Sequence, residues 1–106
     1  MHWVYLILAG MFEIAMATSL KLSDNFSKTF PVIAFVITGA LSFWLLSISM
    51  KQVPIGTAYA IWTGIGAFGT AIVGMIFFND SATFLRIFFL FTLIASILGL
   101  KFVSTV

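Results

Sequence analysis

Four long apolar runs, a nearly uncharged composition and very short connecting segments predict an all-α membrane protein. Its four transmembrane helices form a single domain over residues 1–106. Hydrophobic residues make up 62% of the chain and charged residues 8%, where a soluble domain carries charge on about a quarter of its positions. Five Lys/Arg against three Asp/Glu leave no basic patch to track a phosphate backbone, so the expected surroundings are a lipid bilayer and not a nucleic acid. No cysteine is present, which removes both a disulfide framework and a thiolate metal site.

Charged and polar residues mark where each run stops. Trp3 to Leu20 is closed by KLSDNFSK, Phe30 to Met50 by KQVP, and Ile55 to Phe78 by NDS. The last run, Phe84 to Leu100, has Arg86 near its start and Lys101 at its end. Each is about 17 to 24 residues long, and roughly 20 residues at 1.5 Å rise cross the hydrocarbon core. Helices are therefore expected over about residues 3–21, 30–50, 54–78 and 84–103. The first run is not expected to be a cleaved signal peptide, because it lacks a basic start, holds an acid at its centre and precedes three similar spans. With loops this short, function is expected inside the bilayer.

Charge does not settle the orientation. With four spans, Lys51 and Lys101 lie on one side and Lys21, Lys28 and Arg86 on the other, whereas the positive-inside rule works from a clear imbalance. Four short helices also enclose a pathway poorly. An oligomer is expected, with two copies inserted in opposite directions or, on the blander reading, all copies in one direction.

Glu13 is the only acid or base between Trp3 and Leu20. A mid-bilayer charge costs about 2.5–3.5 kcal/mol on insertion scales, and such residues usually face a bundle interior and serve function. The bland alternative is a permanently protonated structural acid. Burial disfavours the charged form of a carboxyl and an arriving cation reverses that preference, which suits the exchange of protons for a cation.

Depth identifies the neighbours. Glu13 lies about 15 Å in from the start of its run, and Trp62 and Ser42 lie about 12 Å in from the same side. Tyr59 sits one turn shallower than Trp62. An acid, a hydroxyl, a phenol and an indole can therefore share one layer, and a carboxylate beside aromatic faces suits an organic cation. Span aromatics are otherwise often interfacial anchors, the reading for Trp3 and Tyr5, and a lone serine often bonds only its own helix.

Small residues lie around that layer. Ala9, Gly10, Glu13 and Ala17 share a face of the first helix, and Gly39, Ser42 and Ser49 a stripe of the second. The third carries Tyr59, Thr63, Gly66 and Thr70. In the fourth, Ala95 and Gly99 make a small-xxx-small pair suited to dimerisation. Three helices are thus expected to line the site and the fourth to serve assembly. GIGAFG at residues 64–69 copies the dinucleotide fingerprint, but mid-span it lacks the strand and acid that motif requires. Its three glycines in six residues instead weaken the helix and predict a kink or hinge there. His2 is terminal and Asp24 and Asp80 lie in loops, so no metal site, cofactor or hydrolytic pair is expected, and the protein reads as no enzyme.

Four spans in so short a chain, Glu13 in the first, and PIGTAYAIWTGIG at Pro54–Gly66 resemble the small multidrug resistance transporters over the whole chain. The resemblance implies an antiparallel, dual-topology dimer in the bacterial cytoplasmic membrane that exchanges protons for organic cations by alternating access. It implies that Glu13 binds proton and substrate in turn, that Tyr59 and Trp62 are site aromatics flanked by Thr63, and that Gly64 and Gly66 form the bend of the third helix. WTGIGA, Ser42, Arg86 and the Gly99–Leu100–Lys101 ending are similar to the guanidinium-exporter subtype, which implies guanidinium and substituted guanidinium ions as substrates and Ser42 as a support of the Glu13 carboxylates. One departure stands out: the subtype reads Glu-Val-Val-Trp where this chain has Glu13-Ile14-Ala15-Met16. Met16 in the substrate pocket is flexible, which predicts a looser site accepting alkylated guanidinium or quaternary ammonium ions. A homodimer is the expected assembly, with a heterodimer formed with a paralogue as the alternative. The alternatives of other classes are an ion channel, a proton-carrying rotor subunit, which would normally be a two-helix hairpin, and a non-transporting assembly subunit.

Overall fold

The computed structural model describes residues 2–104, and the fold within them is four helices and three tight connections. The helices are α1 (His2–Leu22), α2 (Thr29–Ser49), α3 (Ile55–Phe77) and α4 (Phe84–Val103). Each is long and apolar enough to cross a membrane, and large side chains such as Phe30, Ile55, Phe84 and Phe102 stand exposed along them. A bilayer accepts such a surface; water would not.

Local chemistry sets the ends. Ser23 finishes α1: its hydroxyl donates to the Leu20 carbonyl at 2.7 Å and accepts from the Phe26 N–H at 3.1 Å. The chain then turns through three left-handed residues, Asp24, Asn25 and Phe26. Pro54, which has no N–H to lose, stands immediately before α3. At the other end Asn79 adopts the left-handed conformation that Asn tolerates well, and this folds the Asp80 N–H back onto the Gly74 carbonyl at 3.0 Å. The Thr83 side chain accepts from the Arg86 N–H and caps α4. Within the spans, Thr18, Thr38, Thr92 and Ser96 donate to carbonyls one turn back in their own helices, which satisfies each hydroxyl where no water competes.

Helix α1 is the hub, packed against both α2 and α3, while the backbone of α4 approaches only α3. The result is a slab 43 × 34 × 17 Å, its thin dimension about one and a half helix diameters. Its core is Leu6, Ala9, Leu45, Leu46, Val53, Ala58, Ile61, Trp62 and Ile97, most of it where α1, α2 and α3 converge. From α4 only Ile97 is buried. Leu93 and Ile94 pack half-buried beside it, while Ala95 and Gly99 face outward, and a Cβ built at Gly99 would touch nothing within 4 Å.

Candidate functional site

The convergence of α1, α2 and α3 brings Glu13, Ser42, Tyr59 and Trp62 into one region. Ser42 is fully buried and, unlike the other span hydroxyls, bonds across helices. It donates to the Ala9 carbonyl of α1 at 2.7 Å and accepts from the Trp62 indole N–H of α3 at 2.8 Å. In an α-helix the Ala9 carbonyl also receives the N–H of Glu13, four residues on. Ser42 and Trp62 are therefore bolted to the turn that carries the acid.

This geometry refines what the resemblance implied for Ser42. A serine hydroxyl has a single proton, and here it goes to the Ala9 carbonyl, so Ser42 supports Glu13 through the backbone of α1 and donates nothing to the carboxylate. Glu13 itself is half-buried on the α1 face toward α3. Its Oε1 is buried and accepts no hydrogen bond from any described residue.

Gly66 explains how the acid fits. A Cβ built there would collide with the Glu13 carboxyl group, so only the bare backbone of α3 leaves room for the side chain. Gly64 plays the same part on the next face, where Ile97 Cγ1 of α4 would stand 2.8 Å from an added Cβ. The expected hinge is not visible as an interruption, since α3 is continuous α-helix from Ile55 to Phe77. In this conformation the two glycines serve close approach, Gly66 toward α1 and Gly64 toward α4.

The two aromatics differ in kind. Trp62 is 6% exposed, its ring packed against Phe43 at 5.2 Å and Tyr59 at 5.6 Å between centroids. Within one chain little of its face is open, and its N–H is donated to Ser42. Tyr59 is 56% exposed and offers the free ring. Thr63, one turn further along α3, is exposed beside it. Met16 lies half-buried toward α2, its Sδ 3.0 Å from where a Cβ on Gly39 would stand. Sequence reasoning missed two participants. Phe43 was legible as the neighbour of Ser42 at the same depth, whereas the Ala9 carbonyl, being backbone, leaves no mark in a sequence.

Among the described residues no group of His, Cys, Asp or Glu could hold a metal ion. What this region offers is a buried carboxyl oxygen lodged against Gly66, a three-helix hydrogen-bond chain one turn away on α1, and an exposed phenol ring packed on Trp62.

Comparison with known proteins gives one consistent answer. A model of the Small Multidrug Resistance protein family matches residues 1–94. The chain is 46% identical over 104 residues to a guanidinium exporter of Yersinia pseudotuberculosis, covering 98% of this chain and 100% of that one. It is 45% identical to a guanidinium exporter of Proteus vulgaris over the same shares of both chains. With a guanidinium exporter of Escherichia coli K12 it shares 42% identity over 101 residues, 95% of this chain and 96% of the relative.

Proposed function

Because the chain belongs to the small multidrug resistance family of membrane transporters, we propose that it is a proton-coupled antiporter. Its cargo is guanidinium and substituted guanidinium ions, exported across the bacterial cytoplasmic membrane. The observation that carries this reading is the Glu13 carboxyl, lodged against Gly66 with a buried oxygen that no described protein group satisfies. A carboxyl so placed has two ways to be stabilised: a proton on its own oxygen, or a cation brought to it. The two are mutually exclusive on the same atoms. If the site faces each side of the membrane in turn, that exclusion couples an inward proton flux to an outward cation flux.

The working unit is an antiparallel dimer. Three observations support it: the near balance of Lys/Arg between the two sides, a slab too thin to surround a pathway, and exposed faces at Tyr59 and Thr63 on α3 and at Ala95 and Gly99 on α4. Two Glu13 carboxyls then share one cavity, with Tyr59 as the cation–π surface and α4 as the assembly face. Met16 favours one extension of the substrate range. A flexible thioether against Gly39 widens the pocket toward alkylated guanidinium and quaternary ammonium ions.

The test is proton-driven guanidinium exchange in proteoliposomes containing this chain alone. Wild-type protein exchanges the two ions and Glu13→Gln does not. Exchange by Glu13→Gln refutes the role of the acid, guanidinium current with no proton dependence points to a channel, and silence of the wild type points to an obligate heterodimer.

A further inference from the structure

Along the seam of α1 and α3 the spacing is one helical turn: Glu13, Ala17 and Lys21 on α1, and Gly66, Thr70, Gly74 and Phe78 on or just beyond α3. At its inner end Glu13 meets Gly66. The outer end opens into a cavity of about 190 Å³ whose walls include Ala17, Lys21, Thr70, Gly74, Phe78 and Asp80. Since a water occupies about 30 Å³ of liquid, the space takes several waters or one small organic ion. Its inner wall begins one turn beyond Glu13, and Lys21 at its outer rim lies about 12 Å along α1 from that acid.

The rim is charged. The fold of the chain after α3 lays the Asp80 carboxylate against Gly74, where a Cβ would overlap it. Arg86 of α4 faces that carboxylate with Nη2 3.7 Å from Oδ2, both side chains partly exposed at 36% and 48%. This spacing is too long for a hydrogen bond, and the pair is of the weak, solvent-screened kind. On the other wall, the Lys21 ammonium sits 6.0 Å from the centre of the Phe78 ring.

We propose that this cavity is an outer cation subsite on the route to Glu13, and that Asp80 receives an incoming guanidinium ion by exchanging it for the side chain of Arg86. The proposal rests on the guanidinium-transport reading above. Arg86 is itself a guanidinium, so a free guanidinium ion is its chemical equivalent, able to fork two N–H donors onto the same carboxylate. The exchange leaves Asp80 neutralised before and after, and releases Arg86 toward water. Lys21 opposes any cation that does not take Asp80, which makes the exchange the gate to the cavity. A quaternary ammonium ion has no N–H to offer and gains less from Asp80.

The test measures initial guanidinium exchange in proteoliposomes against guanidinium concentration, for wild type, Asp80→Asn and Arg86→Gln. Both variants keep the backbone N–H that caps Gly74. Asp80→Asn should raise the half-saturation concentration roughly three-fold, and Arg86→Gln, by removing the competitor, should lower it by a similar factor, with maximal rates unchanged. Opposite signs are the signature, because breaking a merely structural ion pair from either side acts in the same direction. Shifts in the same direction, or none, overturn the proposal. Tetramethylammonium added as competitor should displace the wild-type and Asp80→Asn curves equally; a larger displacement of the wild type contradicts the requirement for N–H donors. Should Asp80→Asn not reach the membrane, Arg86→Gln decides alone: a lowered half-saturation sustains the proposal, while an unchanged or raised one overturns it. Wild-type protein that moves no guanidinium fails the proposed function, whereas wild-type transport that both variants reproduce fails this inference only.

Discussion

Removing the Ser42 hydroxyl probes the structure behind the acid. Ser42→Ala deletes two interhelical hydrogen bonds, to the Ala9 carbonyl at 2.7 Å and from the Trp62 indole at 2.8 Å. In bilayers such bonds average about 0.6 kcal/mol and reach about 1.7, so losing both costs about 1.2 kcal/mol at the mean. The Trp62 N–H, on a side chain 6% exposed, is left with no acceptor from Ser42, and an unsatisfied buried donor costs about 1–3 kcal/mol. The expected loss is therefore about 1–2 kcal/mol. Trp62→Phe removes the shared bond from the other side and adds a packing defect. The double variant should then be less destabilised than the sum of the singles by about 0.6–1.7 kcal/mol, the energy of the shared bond. Reversible denaturation in detergent micelles, followed by helical circular dichroism, measures all three. A cost below about 0.3 kcal/mol for Ser42→Ala, together with simple additivity, would refute the reasoning.

Two substitutions test the front of the site. Gly66→Ala places a methyl group where the Glu13 carboxyl now lies; overpacking of this kind costs about 1–3 kcal/mol, and guanidinium affinity should fall by roughly ten-fold or more. Calorimetric binding by the purified protein checks it, and unchanged affinity would show that the acid does not need the glycine. Tyr59→Leu removes the exposed ring while keeping apolar bulk, so affinity for alkylated guanidinium ions should fall about two- to five-fold, the value of an exposed cation–π contact. Equal affinity in the same assay would remove Tyr59 from the site.

Much of this architecture was legible in the residues because a bilayer leaves few options. Loop charges such as Lys21, Lys51 and Asp80 bounded the four spans, and the cost of burying Glu13 singled it out as the candidate site residue. Depth alone brought Ser42, Tyr59 and Trp62 to the same layer, since helical rise is fixed. Direction around the helix axis was harder. Within one chain the indole of Trp62 is buried and donates to Ser42, because the packing of Phe43 and Tyr59 decides which ring stays open. Gly64 and Gly66 read as helix breakers, yet α3 is continuous and each glycine admits a neighbour's side chain. The Ala9 carbonyl and the Asp80–Arg86 mouth depend on how the chain folds back in space, which spacing along the sequence does not encode.

The central claim is that proton and cation compete for the Glu13 carboxyl, and proton release on cation binding tests it most directly. Guanidinium is added to the purified protein in weakly buffered detergent solution with a pH indicator, at a pH where the acid form is populated. Each cation bound should then displace a proton, up to one per carboxyl, with release shrinking as pH rises and the acid form disappears. Wild-type protein should acidify the solution and Glu13→Gln should not. Guanidinium binding without acidification, or the same acidification from Glu13→Gln, would contradict the account.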